Sequence, residues 1–212
     1  MSAERTGAAR RSRSAARRRG ADWHDGWLRG VRRVDSPNHD ARPDGARVTL
    51  AVVHSISLPP GVYGGDAIER LFTNRLDFDA HPYFQGIRGL SVSAHFLVRR
   101  DGAPLQFVSC DERAWHAGRS SWRGREACND YSIGLELEGL EGDVFEDAQY
   151  GMLATLLASL AARYPLEDVA GHEHVAPGRK SDPGAGFDWA RLAGRLDGPA
   201  RRLRDRIAAV AP

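Results

Sequence analysis

The sequence predicts an α/β protein: a single domain in which helices flank a central mixed β-sheet. Its 212 residues, 42% of them hydrophobic, favour one domain with a sizeable core over two smaller ones. One segment has the continuous apolar character of a buried central strand, and two others form a hairpin pattern. The order of strand and helix segments along the chain then indicates a mixed sheet with helices packed on its faces.

The first half of the chain supplies three strands and a helix to this prediction. Residues 48–55 (VTLAVVHS) are a β-branched apolar run and predict a buried strand. His54 lies at its carboxyl end, where α/β proteins place their chemistry. Residues 66–76 predict a short amphipathic helix. Residues 92–99 and 105–109, separated by the turn signal DGAP, predict the hairpin.

The second half supplies a further strand and the longest helix. Residues 132–139 (SIGLELEG) alternate and predict a strand with its leucines on one face and its glutamates on the other. Apolar residues spaced at 3.6 predict a helix from about 146 to 164, which Pro165 ends. Residues 171–186 are rich in Gly and Pro and predict irregular structure. A helical segment from about Asp188 closes the chain.

Charge divides the chain into an extension and a folded domain. Residues 1–20 hold seven arginines and one acid, whereas the rest carries a net charge of −4. This head has no aromatic residue and no apolar periodicity, so we expect it to be disordered. We predict a basic extension over 1–25, a domain over 26–197 and a C-terminal helical extension over 198–212. A nucleic-acid or anionic-membrane contact of the head stays open, but a solvated tail is favoured, and neither partner is expected.

Targeting signals and cysteine use predict a soluble, cytoplasmic protein. No apolar segment follows the basic head, and the longest apolar stretch, Met152–Ala162, is shorter than the about 20 residues of a membrane span. Two scattered cysteines, Cys110 and Cys128, do not form a disulfide framework or a CxxC zinc motif.

Three residues are candidate ligands of a catalytic zinc ion, which takes three protein ligands and leaves a fourth position for water. They are His54 at a strand end and His172 and Asp182 around the irregular segment. His174 is an alternative ligand in the same loop. The segment HEHVA is not the helical zincin motif, because Ala176 stands where that motif has a histidine. Each single histidine is also compatible with a structural role.

Lys180 is unusual because the other twenty-nine basic residues of the chain are all arginine. Lysine differs from arginine in being a compact point charge whose pKa can be lowered. Its neighbours in GHEHVAPGRKSDPG are of metal-ligand type. This context favours a catalytic role over an incidental surface position.

Several long segments resemble one family, the AmpD-type N-acetylmuramoyl-L-alanine amidases of the wider type 2 amidase and peptidoglycan-recognition superfamily. The resemblance extends from about Gly26 to Leu196 and rests on VVHSISLPPGVYGG, LFTNRLDFDAHPYF, SVSAHFLVRRDG, RAWHAGRSSWRGREACNDYSIGLELEG and GHEHVAPGRKSDPGAGFDW. It implies a zinc amidase domain: a mixed sheet flanked by helices, with the zinc site in a groove at strand ends.

The resemblance also implies roles for single residues. His54, His172 (not His174) and Asp182 match the family's zinc ligands, Glu136 its catalytic glutamate and Lys180 its loop lysine. Zinc would lower the pKa of a bound water, Glu136 would transfer the proton and Lys180 would stabilise the oxyanion.

The implied reaction is cleavage of the amide between the lactyl group of N-acetylmuramic acid and L-alanine of the stem peptide. The implied substrates are anhydro-muropeptides, the cytoplasmic fragments of recycled cell wall, and we expect a monomer. A non-catalytic module that binds or senses peptidoglycan fragments is the alternative. The complete set of candidate metal and catalytic residues favours the enzyme. Nucleic-acid binding through the head rests on composition alone.

The roles of other residues in these segments stay open. His95 and His116 line the groove or orient the metal ligands, Trp115 and Trp122 contact sugar or fill the core, and Asn129 and Asp130 fix the turn into the 132–139 strand.

Two positions depart from the family pattern, which has arginine where this chain has Ser91 and Ala127. The resemblance associates those arginines with carboxylates of the stem peptide. We therefore expect weaker discrimination by peptide carboxylates, unless Arg88, Arg123 or Arg125 compensates.

Overall fold

A computed structural model describes residues 22–208, and its centre is a six-stranded sheet. The basic head, residues 1–20, and its predicted disorder lie outside the described residues, and only residues 22–25 of the predicted extension are described. The strands are β1 (Arg32–Arg33), β2 (Leu50–Ile56), β3 (Phe96–Val98), β4 (Pro104–Gln106), β5 (Ser132–Glu138) and β6 (Asp168–Gly171), in the spatial order β6-β2-β5-β3-β4-β1.

The strand directions make the sheet mixed, as the sequence predicted. Strands β6, β2, β5 and β3 run parallel to one another. Strands β3 and β4 form the predicted antiparallel hairpin, and β1 adds to β4 in parallel. Of these four parallel strands, β6, β2 and β5 are adjacent, so their carboxyl ends lie side by side.

Helices and short strand pairs complete the fold. The helices are α1 (Ala67–Phe72), α2 (Pro82–Gln85), α3 (Asp147–Arg163), α4 (His172–Val175), α5 (Trp189–Arg195) and α6 (Arg204–Ala208), with 3-10 turns at Cys128–Asp130 and Gly198–Leu203. Two-residue strands pair as Trp23–His24 with Trp27–Leu28, His39–Asp40 with Arg113–Ala114, and Ser121–Trp122 with Arg125–Glu126. None of the helices in the described range is long and apolar enough to cross a membrane.

The two faces of β5 serve different purposes. Ile133, Leu135 and Leu137 belong to the large apolar cluster that α3 covers, as the alternation predicted. Glu136 and the other residues of even number point to the opposite face, where the candidate site lies. Cys110 and Cys128 are both buried and free, so they form no disulfide.

Two of the elements that were not predicted position the site. Strand β6 is only four residues long and lacks a polar-apolar alternation, which left it without a sequence signal. The segment predicted to be irregular begins with the single turn α4, which directly follows β6. Both elements matter, because together they present His172.

Candidate active site

Three side chains stand in a row across the parallel strands. Glu136 on β5 pairs in register with His54 on β2. On the other side of β2, Gly171 of β6 pairs with Val53, so His172, the next residue, comes level with His54. The carboxyl ends of parallel strands are where open α/β sheets bind ligands.

The loop after α4 brings Asp182 to the same place. The backbone N–H of Glu173 donates to the carbonyl of Asp182 at 2.8 Å and so holds the loop against the start of the helix. Gly171 allows this close approach, because a Cβ there would lie 2.9 Å from His174 Nδ1 and 3.0 Å from Pro183 Cδ. A larger residue at the end of β6 would push the loop away.

His54, His172 and Asp182 form a triangle of ligand atoms. The two histidine Nδ1 atoms are 2.9 Å apart, and the Asp182 carboxylate lies 3.2 Å from His54 Nδ1 and 3.1 Å from His172 Nδ1. A tetrahedral zinc ion with bonds of about 2.0 Å separates its ligand atoms by about 3.3 Å. The donor set and its spacing therefore fit a zinc ion with one open position.

The other ring nitrogen of His172 fixes its orientation. His172 Nε2 lies 3.3 Å from the carbonyl oxygen of Ala117, which can only accept, so Nε2 carries the proton and Nδ1 presents a lone pair to the cluster. His174 is placed differently. Its Nδ1 accepts a hydrogen bond from the N–H of Gly171, and its ring packs edge-on against Trp189.

The electrostatics of the triangle favour a cation. Partial burial raises the pKa of Asp182, but its close contacts with His172 and His54 outweigh that effect and hold the pKa well below its ordinary value. Burial, with the neighbouring charge of His172, lowers the pKa of His54 to about 4. An ionised carboxylate and a neutral imidazole are the forms that bind metal.

Glu136 is buried beside the triangle with one oxygen free. It is 8% exposed, and its Oε2 has no hydrogen-bond partner within residues 22–208. Burial raises the pKa of Glu136 well above its ordinary value, and the charge of Asp182 raises it further, whereas Lys180 lowers it. A carboxyl group with a raised pKa is suited to accepting and returning a proton.

A groove of about 610 Å³ opens above these residues. Its floor is formed by His54, Glu136, His172 and Asp182, and one wall is apolar, with Leu58, Leu71, Phe72, Ile87 and Leu90. Lys180 lines the groove from the loop side, and its charge affects the pKa of both Glu136 and His54. The structure thus brings together all five residues that the sequence analysis singled out.

Two buried residues of the groove lining, His116 and Asn129, make contacts that the sequence did not reveal. His116 Nδ1 lies 3.0 Å from His54 Nε2, and its Nε2 lies 3.1 Å from Ser132 Oγ. Burial, followed by the neighbouring His54, lowers the pKa of His116 well below its ordinary value. Asn129 Oδ1 accepts from the backbone N–H groups of His116 and Ala117. Asn129 therefore positions that segment in addition to forming the predicted turn.

The remaining aromatic and histidine candidates differ in whether they lie at the groove. Trp115 lines the groove, whereas Trp122 packs in a core cluster and donates through Nε1 to Asp168. His95 accepts from the N–H of Gly134 and does not join the triangle.

The two departures from the family pattern lie in different places. Ser91 lines the groove itself. Ala127 lines a second pocket of about 410 Å³, which adjoins the groove through Gly118 and Arg179.

None of the three arginines named as possible replacements lines the groove. Arg123 pairs with Asp168 at 3.1 Å, and Arg125 lines the same shallow pocket beside Asp168, the first residue of β6. Asp168 is at the amino end of β6, whereas His172 follows its carboxyl end. Arg88 pairs with Asp79 on the surface. These contacts leave the expectation of weaker discrimination by peptide carboxylates as it was.

The mixed sheet and a two-histidine, one-aspartate triangle next to a buried glutamate define a class: α/β proteins with a metal-hydrolase type of site. A model of the N-acetylmuramoyl-L-alanine amidase family matches residues 44–185. The chain belongs to this family.

Individual relatives and solved structures support this family assignment. The 1,6-anhydro-N-acetylmuramyl-L-alanine amidase AmpD of Citrobacter freundii is 56% identical over 170 residues, which cover 79% of this chain and 91% of that protein. A crystal structure of a selenomethionine AmpD derivative superposes with a TM-score of 0.80 at 53% identity, over 82% of this chain and 98% of the other. The predicted AmpD-type amidase is thereby confirmed.

A more distant structure shows a family member with its substrate. It is the N-acetylmuramyl-L-alanine amidase AmiD from Escherichia coli with anhydro-N-acetylmuramic acid-L-Ala-D-gamma-Glu-L-Lys. It is 30% identical with a TM-score of 0.51, and the match covers 74% of this chain and 62% of AmiD.

Proposed function

We propose that this protein is a zinc-dependent amidase that cleaves the bond between anhydro-N-acetylmuramic acid and L-alanine of the stem peptide. The observation that carries the proposal is the ligand triangle of His54, His172 and Asp182, with the unpaired carboxyl oxygen of Glu136 beside it. The AmpD relatives and the substrate complex of AmiD support the choice of substrate.

The residues of the groove have different roles in the proposed amide hydrolysis. Bound zinc supplies Lewis acidity, which polarises the amide carbonyl and lowers the pKa of a water. Glu136 accepts the proton of the attacking water, and its raised pKa favours returning a proton to the departing alanine nitrogen. Lys180 counters the negative charge that develops on the carbonyl oxygen.

Substrate and location follow from the same proposal. The apolar wall of the groove suits the carbon skeleton of a sugar and its lactyl arm, and the groove adjoins the second pocket at Gly118 and Arg179. We place the enzyme in the cytoplasm, as a monomer acting on recycled cell-wall fragments. With Ser91 in the groove, we expect peptide carboxylates to contribute less to recognition.

The test is to incubate the protein with an anhydro-muropeptide, with and without a chelator, and to identify the products by mass. We expect free peptide and anhydro-N-acetylmuramic acid, and no cleavage after chelation. Tight binding of intact substrate without cleavage would instead establish the non-catalytic binding module.

A further inference from the structure

We propose that His116 is a positioning residue that holds His54 in the tautomer whose Nδ1 lone pair points to the metal position. The inference rests on the proposed zinc site and adds to it a residue outside the ligand triangle. It starts from a chain of buried hydrogen bonds that connects His54, at the groove, to the backbone carbonyl of Cys128. His54, His116 and Ser132 are all buried, so solvent does not substitute for these bonds.

The direction of each bond follows from the last acceptor. Ser132 Oγ donates to the carbonyl oxygen of Cys128 at 2.6 Å, and this uses its only proton. Ser132 Oγ must then accept from His116 Nε2, 3.1 Å away. An imidazole whose one proton is on Nε2 has its lone pair on Nδ1, and His116 Nδ1 therefore accepts from His54 Nε2 at 3.0 Å.

The consequence reaches the ligand triangle. A neutral imidazole with its proton on Nε2 has a free lone pair on Nδ1. His54 Nδ1 is the atom that lies 2.9 Å from His172 Nδ1 and 3.2 Å from the Asp182 carboxylate. Without an acceptor at Nε2, the Asp182 carboxylate would draw the His54 proton to Nδ1, and zinc would have to displace it.

A second observation shows that the fold makes room for His116. A Cβ on Gly134 would lie 2.5 Å from Cγ and 2.8 Å from Nδ1 of the His116 ring. Ser132, Gly134 and Glu136 alternate along one face of β5. One strand face therefore supplies the acceptor for His116, the space for its ring and the catalytic carboxyl group.

The experiment measures zinc affinity by competition with a chromophoric chelator, in folded protein checked by circular dichroism. We expect His116→Ala to weaken zinc binding by about tenfold to a hundredfold, the usual effect of removing a partner of a metal ligand. His116→Gln, which can accept from His54 and donate to Ser132, should recover part of this loss. The matched control is His95→Gln, another buried histidine that lies outside the chain of bonds, and it should change affinity less than about threefold.

A second measurement needs no variant. Nitrogen-15 NMR of the metal-free wild-type protein should show the His54 proton on Nε2. A proton on Nδ1, unchanged zinc affinity in His116→Ala, or an equal loss in His95→Gln would overturn the inference. Failure of the wild type to bind zinc would refute the proposed function, while the tautomer would still decide the role of His116.

Discussion

Among single residues, Glu136 shows most directly that a group suited to catalysis can lower the free energy of unfolding. Its carboxyl group is buried with one oxygen unpaired within the described part of the chain, next to the Asp182 carboxylate. Both burial and that neighbouring charge raise its pKa. Ionising such a group costs free energy in the native state that it does not cost in the unfolded chain.

Glu136→Gln should therefore stabilise the metal-free protein while abolishing turnover. A carboxyl group with a raised native pKa is destabilising once the pH exceeds its unfolded pKa, near 4.5, and the penalty grows until the pH passes the native pKa. We expect the free energy of unfolding at pH 7 to rise by about 1 kcal/mol or more. Denaturant unfolding should show this gain at pH 7 and its loss below pH 4.5. A less stable variant at pH 7 would contradict the account.

Lys180 tests whether the charge in the loop must be compact. If it stabilises charge that appears mainly in the transition state, Lys180→Ala should lower kcat about a hundredfold or more, with little change in KM. Lys180→Arg keeps the charge but has a broad planar head, so it should also be clearly impaired. Zinc content and melting temperature serve as controls. Near-normal turnover of the arginine variant would reduce Lys180 to a generic cation.

Among the structural elements, the loops matter as much as the strands. Arg179 joins the loop that carries Asp182 to the segment after His116, because its guanidinium donates to the carbonyls of Ala117 and Arg119. The Ala117 carbonyl is also the partner of His172 Nε2. Arg179 therefore couples two loops that each hold a metal ligand in place.

Arg179→Met should weaken zinc binding by about tenfold, because the Ala117 carbonyl, which orients His172, would no longer be held by the guanidinium. The control is Arg119→Met, because only the backbone carbonyl of Arg119 takes part in these bonds and that carbonyl is retained. Chelator competition on the two variants measures the difference. Equal affinities would show that the loops keep their positions without the guanidinium.

The elements also show which features are readable from sequence. Strands β2 and β5 and helix α3 were predictable, because long apolar or alternating patterns reflect burial directly. Strand β6 and helix α4 have four residues each, too few for a period to emerge.

The site shows the same limit. His54, His172 and Asp182 have residue types and positions that point to a metal. The choice of His172 over His174 came from the family resemblance. His116 was expected only to line the groove or orient the metal ligands, because no sequence pattern shows that its Nδ1 faces His54 Nε2.

At the scale of the whole molecule, the core extends beyond the segment that resembles the family. Ala200, Leu203 and Ile207 are buried in the same cluster as α3. The sequence predicted a helical extension over 198–212; its described part, 198–208, is helical, and these three side chains pack in the domain core.

The two ends of the chain should consequently respond differently to truncation. Deleting residues 198–212 removes several buried apolar side chains, each contributing about 1.5–3 kcal/mol when large, and should unfold or severely destabilise the protein. Deleting residues 1–20, which have no core-forming pattern, should leave turnover and melting temperature nearly unchanged. Thermal unfolding and an activity assay on both truncations measure this. A large loss of turnover without the head would show that the head takes part in function.

The central claim is that the His54–His172–Asp182 triangle binds the zinc ion on which amide cleavage depends. The most direct measurement is a stepwise zinc titration of metal-free protein, with release of peptide from an anhydro-muropeptide as the signal. We predict that activity rises linearly to a plateau at about one zinc per chain, that His172→Ala stays inactive, and that His174→Ala behaves like the wild type. Full activity in metal-free protein, or the reverse behaviour of the two histidine variants, would contradict the account.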